Sequence, residues 1–411
     1  MASQPKVGAA SAGGIHVPFA EVDIRTSIRP TVAEIDLGAV QRNLVRVRHA
    51  IGPGVRVFGV VKADAYGHGA VPVARALEPL CHALAVSLVE EGLELRAAGI
   101  RAPILVLGAY YNAHHDEVLA ERLTPVVYDR GELEKFGAAA ARRNRMADVH
   151  LKIDTGMSRL GLDPRELDAA LSRLPSLPAL RLSGLCTHFA SADLADATPT
   201  ETQLGLLRQA LAGAAARGFG GLVNHAANSA AAIRFPEARL DAVRPGLALY
   251  GAMPSEIVRL ADLEAALALR TRVMAVREVA PGTGVSYGGT WRAARQSRIA
   301  TLPIGYADGY PRHVRGAEVL LGGRRVPIVG VVCMDMLMID VTDLPASALE
   351  GPVTLIGRDG GEEITVDELA RRAGTINYEI LCGISKRVPR VLRDAAVTMS
   401  PAPARKPSSA P

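Results

Sequence analysis

The chain has 411 residues, too many for one ordinary domain, so two are expected, one of them large enough to be a barrel. With 49% hydrophobic and 22% charged residues it can bury a sizeable core, and only 4% aromatics means that core is built from Ala, Val, Leu and Gly. The net charge of +5 is spread without a like-charge run or a basic stripe, which argues against a nucleic-acid partner, and no apolar stretch approaches the ~20 residues that span a bilayer, which argues against a membrane.

Residues 1–28 mix Ala, Ser, Gly and Pro, lack the Lys/Arg-led start and apolar segment of a signal peptide, and are expected to be a disordered extension. From about Val55 a short apolar run followed by a longer amphipathic stretch recurs. The runs are Val57–Val61, Leu84–Val86, Ile104–Leu107, Pro125–Val127, Val149–Ile153, Leu182–Thr187, Leu222–Asn224 and Val243–Tyr250. Unbroken apolar runs suit strands buried on both faces, hence a parallel sheet. Between them, Leu88–Ala98 stops at Gly99, Arg130–Arg143 follows Asp129 as cap, and Pro199–Arg217 follows Thr198 with Glu201 placed for a capping box. Eight such units predict an α/β fold, a (β/α)8 TIM-type barrel over residues 29–263. A doubly wound open sheet is the alternative, disfavoured because no G-x-G-x-x-G follows the first run.

After Leu263 the segments shorten, Gly and Pro turns crowd in and β-branched residues rise. Arg272–Val279, Arg298–Pro303, Val326–Val332, Met336–Val341 and Val353–Gly357 read as strands, and Thr365 caps a helix to Ala373. This predicts a smaller, mainly β C-terminal domain over residues 264–398, then a disordered tail at 399–411. Cys81, Cys186, Cys333 and Cys382 form no C-x-x-C pair and suggest neither a disulfide framework nor a metal site. Free thiols fit a reducing compartment, and the expected location is cytoplasmic.

In a barrel the chemistry sits where strands end. The first run ends in V-V-K-A-D-A-Y-G-H-G, which places Lys62 at a strand terminus; a lysine half-buried there has a lowered pKa and can condense with an aldehyde. His68 in the same loop reads equally as a loop-ordering residue or a catalytic one. The fifth run ends in L-K-I-D-T-G-M-S-R-L-G. Lys152 lies within that strand and, if inward-facing, needs neutralisation, a partner or modification, while Arg159 follows a glycine turn toward the mouth. His188 ends the sixth run, with a structural role as the alternative. Asn228 and Ser229 open a helix whose free N–H groups and hydroxyl suit a phosphate, and Arg244 with Gly246 adds a cation and close backbone approach. A reactive lysine, a phosphate-type helix start and two arginines at one mouth point to pyridoxal 5'-phosphate.

These stretches, with V-S-Y-G (Val285–Gly288), L-P-I-G-Y-A-D-G (Leu302–Gly309), C-M-D (Cys333–Asp335) and I-N-Y-E-I (Ile376–Ile380), resemble the alanine racemase family of fold-type III pyridoxal-phosphate enzymes from about Arg29 to Leu392. The resemblance implies a racemase interconverting L- and D-alanine with two bases, supplying D-alanine for peptidoglycan, and a homodimer with shared active sites. By the same resemblance Lys62 binds the cofactor and is one base, and Tyr287, reaching the partner's barrel, is the other. Tyr66, Ser229, Gly246, Leu247 and Tyr378 grip the phosphate, and Arg244 faces the pyridine nitrogen. Arg159 contacts the ring hydroxyl and the substrate carboxylate with Met334, His188 bonds the catalytic tyrosine, and Lys152 matches a lysine that is often carbamylated. Two departures stand out. Val331 occupies a position where many relatives carry Arg, which bears on substrate access, and Ser158 stands where Gly is common. A broad-specificity or serine racemase of the same fold type is the alternative activity; a decarboxylase and a non-enzymatic cofactor-binding protein fit the C-terminal motifs less well.

Overall fold

The computed structural model describes residues 28–108, 110 and 114–393, so the tail at 399–411 and the N-terminal extension, except Ile28, lie outside the described residues. After β1 (Val32–Asp36), seven strands form a wholly parallel wall: β2 (Arg56–Val60), β3 (Ala83–Val86), β4 (Ile104–Val106), β5 (Leu123–Val127), β6 (Ala147–Lys152), β7 (Leu180–Cys186) and β8 (Ala242–Val243). Their order is β7-β6-β5-β4-β3-β2-β8. The ring closes through His225, which bridges in parallel to Cys186 on β7 and to Ala242 on β8. The eightfold barrel is thus present, with one stave reduced to a single residue. The expected strand at Leu222–Asn224 does not form a named strand. The expected run Val243–Tyr250 is strand only at its start, because Pro245 has no N–H to continue the ladder and residues Leu247–Tyr250 turn into a 3-10 helix. All four residues of β3 and the last four of β2 are buried, as a wall with helices outside and side chains inside requires.

The helices form largely where their caps predict. Asp129 accepts the Glu132 N–H at 2.8 Å and starts the helix Arg130–Arg142. The helix expected from Pro199 begins one residue earlier, at Thr198, and Thr198 does not cap it; Asp196 instead accepts the Thr198 N–H at 3.0 Å.

The second sheet contains β9 (Leu267–Arg272), β10 (Ala275–Val279), β13 (Ser297–Leu302), β14 (Glu318–Leu321), β15 (Arg324–Val329), β16 (Leu337–Asp340), β17 (Pro352–Asp359), β18 (Glu362–Ile364) and β19 (Arg390–Arg393); β11 (Gly284–Val285) and β12 (Trp291–Arg292) form a separate hairpin. Thr365 caps the helix Val366–Ala373 by accepting the Glu368 N–H at 3.0 Å. The expectation that the barrel domain starts at residue 29 needs correction. β1 belongs to the C-terminal sheet, between β9 and β19, with Val32 opposite Arg270 and Ala33 opposite Arg390. Its apolar residues Val32, Ala33 and Ile35 are buried there, and it occupies an edge of β9 that would otherwise be unpaired. Asp36 then accepts the Ala39 N–H at 2.7 Å and starts the helix Leu37–Ile51, so the chain enters the barrel layer without a linker.

Besides His115, three histidines are buried in the barrel region. His150 Nδ1 and His225 Nε2 are 2.7 Å apart, edge-on to Phe58 in the case of His225, and His68 lies against Tyr250. Burial pushes His68 and His150 down to about 4, and it drives His225 well below its usual value. The folded chain therefore keeps them neutral where the unfolded chain takes up a proton near pH 6.5. Their contribution to stability is complete above pH 6.5 and is lost as pH falls toward the folded value. Between pH 6.5 and pH 5, above the range where ordinary carboxylates titrate, His68 and His150 should each cost about 2 kcal/mol. Thermal unfolding should show a falling midpoint over that window with proton uptake on unfolding; a flat profile would contradict the neutral assignment.

Candidate active site

The segment after β2 sets the geometry of the mouth. Ala63, Asp64, Ala65 and Tyr66 have φ of 52, 52, 51 and 56°, and Gly67 has 80°, so Lys62–Gly67 is a left-handed helical turn. For L-residues this costs roughly 1–2 kcal/mol each. The surroundings hold it. Ala63 N–H donates to Glu91 Oε1 at 2.6 Å, Ala70 N–H to Asp64 Oδ1 at 2.7 Å, and Arg390 Nε–H to the Gly67 carbonyl at 3.0 Å. His68 Nδ1 faces the carbonyls of Ala65 and Tyr66 at 3.1 and 3.0 Å, so Nδ1 carries the proton. Of the two readings open for His68, loop ordering is the one its contacts describe. Gly67 is required: a Cβ there would lie 2.3 Å from the Leu381 carbonyl oxygen.

Because the turn is left-handed, Lys62 and Tyr66 both serve the mouth. Lys62 is half-buried and its pKa is lowered, first by burial and then by Arg159. Tyr66 is buried with its ring 4.9 Å from Tyr250 and 5.9 Å from Tyr378. A Cβ on Gly246 would stand 2.4 Å from Tyr66 Oη, so only glycine allows that approach. Ser229 Oγ, buried, accepts the N–H groups of Gly246 (3.0 Å) and Ala248 (3.3 Å) on either side of Leu247. Its own proton has no acceptor among the described residues. Tyr66, Ser229, Gly246 and Leu247 thus form one cradle, with Tyr378 beside it as a neutral phenol whose pKa burial pushes up to about 12. Asn228 is used differently: its Oδ1 caps the following helix by accepting the Ala231 N–H at 3.0 Å.

Arg244, 5% exposed, anchors the opposite side. Its NH1 donates to His225 Nδ1, and its NH2 to the carbonyls of Thr187 and Ala226 (both 2.8 Å) and toward His188 Nδ1 (3.3 Å). Since arginine only donates, His225 must accept at Nδ1 and donate from Nε2 to His150. Arg244 Nε–H takes no partner among the described residues. Lys152 is buried in the wall on β6, and its pKa is lowered, chiefly by burial, with Arg159 and Arg244 adding to the shift. Burial and the same two arginines, joined by Lys152 and Lys62, drive His188 well below its usual range. The mouth therefore collects Lys62, Lys152, Arg159 and Arg244 around one space, with Arg159 exposed at its rim.

A cradle whose hydroxyl proton and a buried guanidinium whose Nε–H take no partner among the described residues, together with a lysine of lowered pKa, fit a phosphorylated pyridine aldehyde. Tyr287 and Met334 stand elsewhere. They are 70% and 53% exposed on the C-terminal domain. There Ser286 Oγ donates to the Val331 carbonyl at 2.6 Å, and Tyr306 and Ala307 N–H donate to the carbonyls of Cys333 and Met334, both at 3.0 Å. This joins three sequence motifs into one surface. Glu91, which also accepts the Ser87 and Leu88 N–H groups at 2.7 and 2.9 Å, escaped the sequence reading because its helix position looks like an ordinary surface charge. His225, three residues before Asn228, carries no motif in the sequence that announces its bond to Arg244.

The chain matches the family models "Alanine racemase, N-terminal domain" over residues 35–254 and "Alanine racemase, C-terminal domain" over residues 266–392. It is 46% identical over 365 residues to the alanine racemase of Halothermothrix orenii, covering 88% of this chain and 96% of that one. To that of Symbiobacterium thermophilum it is 47% identical over 367 residues, covering 88% and 97%. Among solved structures, the Bacillus anthracis alanine racemase with bound L-Ala-P superposes with a TM-score of 0.84 at 40% identity, over 90% of this chain and 97% of that one. The biosynthetic enzyme of Pseudomonas aeruginosa gives 0.80 at 40%, over 89% and 100%. On these matches and on the site just described, the chain belongs to the alanine racemase family.

Proposed function

We propose that the protein is an alanine racemase that interconverts L- and D-alanine with pyridoxal 5'-phosphate and supplies D-alanine for peptidoglycan in the cytoplasm. The observation that carries this is the meeting of Lys62, the Tyr66–Ser229–Gly246 cradle and Arg244 at one barrel mouth. When bound, the cofactor supplies an electron sink that acidifies the substrate α-proton. Ser229 and Tyr66 are placed to hold its phosphate, with Gly246 and Leu247 offering backbone and Tyr378 closing the side. Arg244 would lie at its ring nitrogen. A guanidinium keeps its proton at working pH and its histidine neighbours are neutral, so no protein group there can protonate that nitrogen. With the ring nitrogen left unprotonated, the cofactor would supply a weaker electron sink.

Lys62 takes or returns the α-proton at Nζ from one face, its lowered pKa favouring the neutral amine. Arg159 orients the substrate carboxylate with the Met334 backbone. Tyr287 serves the other face at Oη, assisted by His188. Exposed as it is on its own chain, Tyr287 reaches a mouth when a second copy docks, which makes the active unit a homodimer with two composite sites. A carbamate on Lys152 replaces a positive charge by a negative one and pairs with Arg159, relieving repulsion among the mouth cations. No helix among the described residues is long and apolar enough to cross a membrane.

Chiral chromatography of the purified protein with L-alanine should show approach to a racemic mixture, and a panel including L-serine should show preference for alanine despite Val331. Borohydride should fix the cofactor to Lys62, and Lys62→Ala should abolish both fixation and turnover; fixation at another lysine would sink the assignment.

Electron density or intact mass should show three extra heavy atoms on Lys152 Nζ when bicarbonate is present. A bare amine at full occupancy would count against the carbamate.

Lys62→Ala and Tyr287→Phe should each be nearly inactive. Mixed under conditions of subunit exchange, they form heterodimers in which one site carries both lesions and the other neither. Up to half of the heterodimer sites should then recover. Heterodimers demonstrated by mass spectrometry but lacking activity would reject the shared site.

A further inference from the structure

One side chain outside the mouth is committed, atom by atom, to the two loops that carry Arg159 and His188. Gln203 lies on the helix Thr198–Ala216 and is 4% exposed. Its Nε2 donates to Thr155 Oγ1 (3.2 Å) and to the His188 carbonyl (3.1 Å), and its Oε1 accepts the Ala190 N–H (2.9 Å). The amide can be oriented only this way, because the His188 carbonyl needs a donor and the Ala190 N–H an acceptor. Thr187 Oγ1 donates to the Ile153 carbonyl at 2.8 Å, so it accepts from Thr155 Oγ1 at 2.8 Å, which accepts from Gln203. The bonds run in one direction from Gln203 to the end of β6. At the Thr187 peptide the chain meets Arg244, whose NH2 donates to that carbonyl.

The Arg159 loop is rigid within itself. Asp154 N–H and Leu162 N–H close its base on the carbonyls of Leu162 (2.9 Å) and Lys152 (2.8 Å). Asp154 Oδ1 gathers the N–H groups of Gly156, Met157 and Ser158 at 3.0, 2.9 and 3.0 Å. Such a unit can tilt on its base while keeping its shape. Its angle to the neighbouring loop is set where Thr155 meets Thr187 and Gln203. Packing alone would be served by an apolar residue of the same volume, whereas a buried amide with every valence directed fixes register.

We propose that Gln203 is a positioning residue that sets the separation of Arg159 from His188, and thereby the alignment of substrate carboxylate and proton-transfer groups, without itself touching substrate or cofactor. The proposal rests on the roles assigned above to Arg159 and His188.

The test uses the holoenzyme and compares Gln203→Met, Gln203→Glu, Thr155→Val, Thr155→Ser and Arg159→Lys. Gln203→Met keeps the volume and removes all three bonds. It should lower kcat/KM about 10–100-fold, the scale expected for a small misplacement of reacting groups. The visible absorbance of the cofactor should be unchanged, since Lys62, Ser229 and Gly246 are not touched. Gln203→Glu keeps the Ala190 bond but sets an oxygen against the His188 carbonyl. Its activity relative to the unmodified protein should rise as pH falls and the buried carboxyl regains a proton to donate. Thr155→Val should be impaired and Thr155→Ser restored, which decides the matter if Gln203→Met fails to fold. Unchanged kcat/KM in a folded Gln203→Met or in Thr155→Val, whatever the melting temperature, overturns the proposal. If Arg159→Lys is also fully active, the failure lies in the roles assigned to the mouth residues; if Arg159→Lys is impaired, it lies in the positioning alone.

Discussion

The constraint on which the site depends is the left-handed turn at Lys62–Gly67. A strand that ended in an ordinary right-handed helix would send the residues after Lys62 along the outside of the barrel. With the opposite hand, Lys62 and Tyr66 stay at the same opening, Tyr66 with its hydroxyl against Gly246. The turn is costly for four side-chain-bearing residues, and no single bond offsets that cost. Glu91 holds it from the barrel side, and Arg390 with the Leu381 backbone holds it from the C-terminal domain. Barrel and β domain therefore hold this turn jointly.

Electrostatics follow from the same crowding. Lysines and arginines brought to one half-buried space repel, and burial weakens their hydration. The fold answers by keeping the histidines neutral, by lowering the lysines toward the amine form, and by leaving Arg244 as the fixed cation with its guanidinium tied to backbone carbonyls.

Much of this was legible in the sequence because it is local. Apolar runs mark the barrel strands, and Asp129 and Thr365 announce their helices by capping chemistry. The strand-end position of Lys62 follows from reading one residue beyond a run. What escaped is non-local. β1 falls inside the range expected to be barrel, and only its pairing, with Ala33 opposite Arg390, gives it to the other sheet. The stave at His225 is a single bridge that no periodicity records. The hand of the turn after β2 is invisible in K-A-D-A-Y, where only Gly67 hints at positive φ. Glu91 is spent on a neighbour 28 positions away, at Ala63, which composition does not reveal.

The placement of β1 has a consequence for how the protein comes into being. Its partner on one side is β19, nearly the whole chain away, and on the other β9, beyond the barrel. During synthesis from the N-terminus, the barrel wall can assemble while β1 waits with both edges bare, and its parallel neighbour β19 emerges well after β9. β19 thus acts as a latch on β1. That latch carries Arg390, which also clamps the strained turn beside Lys62. A nascent chain interrupted anywhere before β19 lacks both the closure of β1 and the Arg390 clamp on the turn after β2.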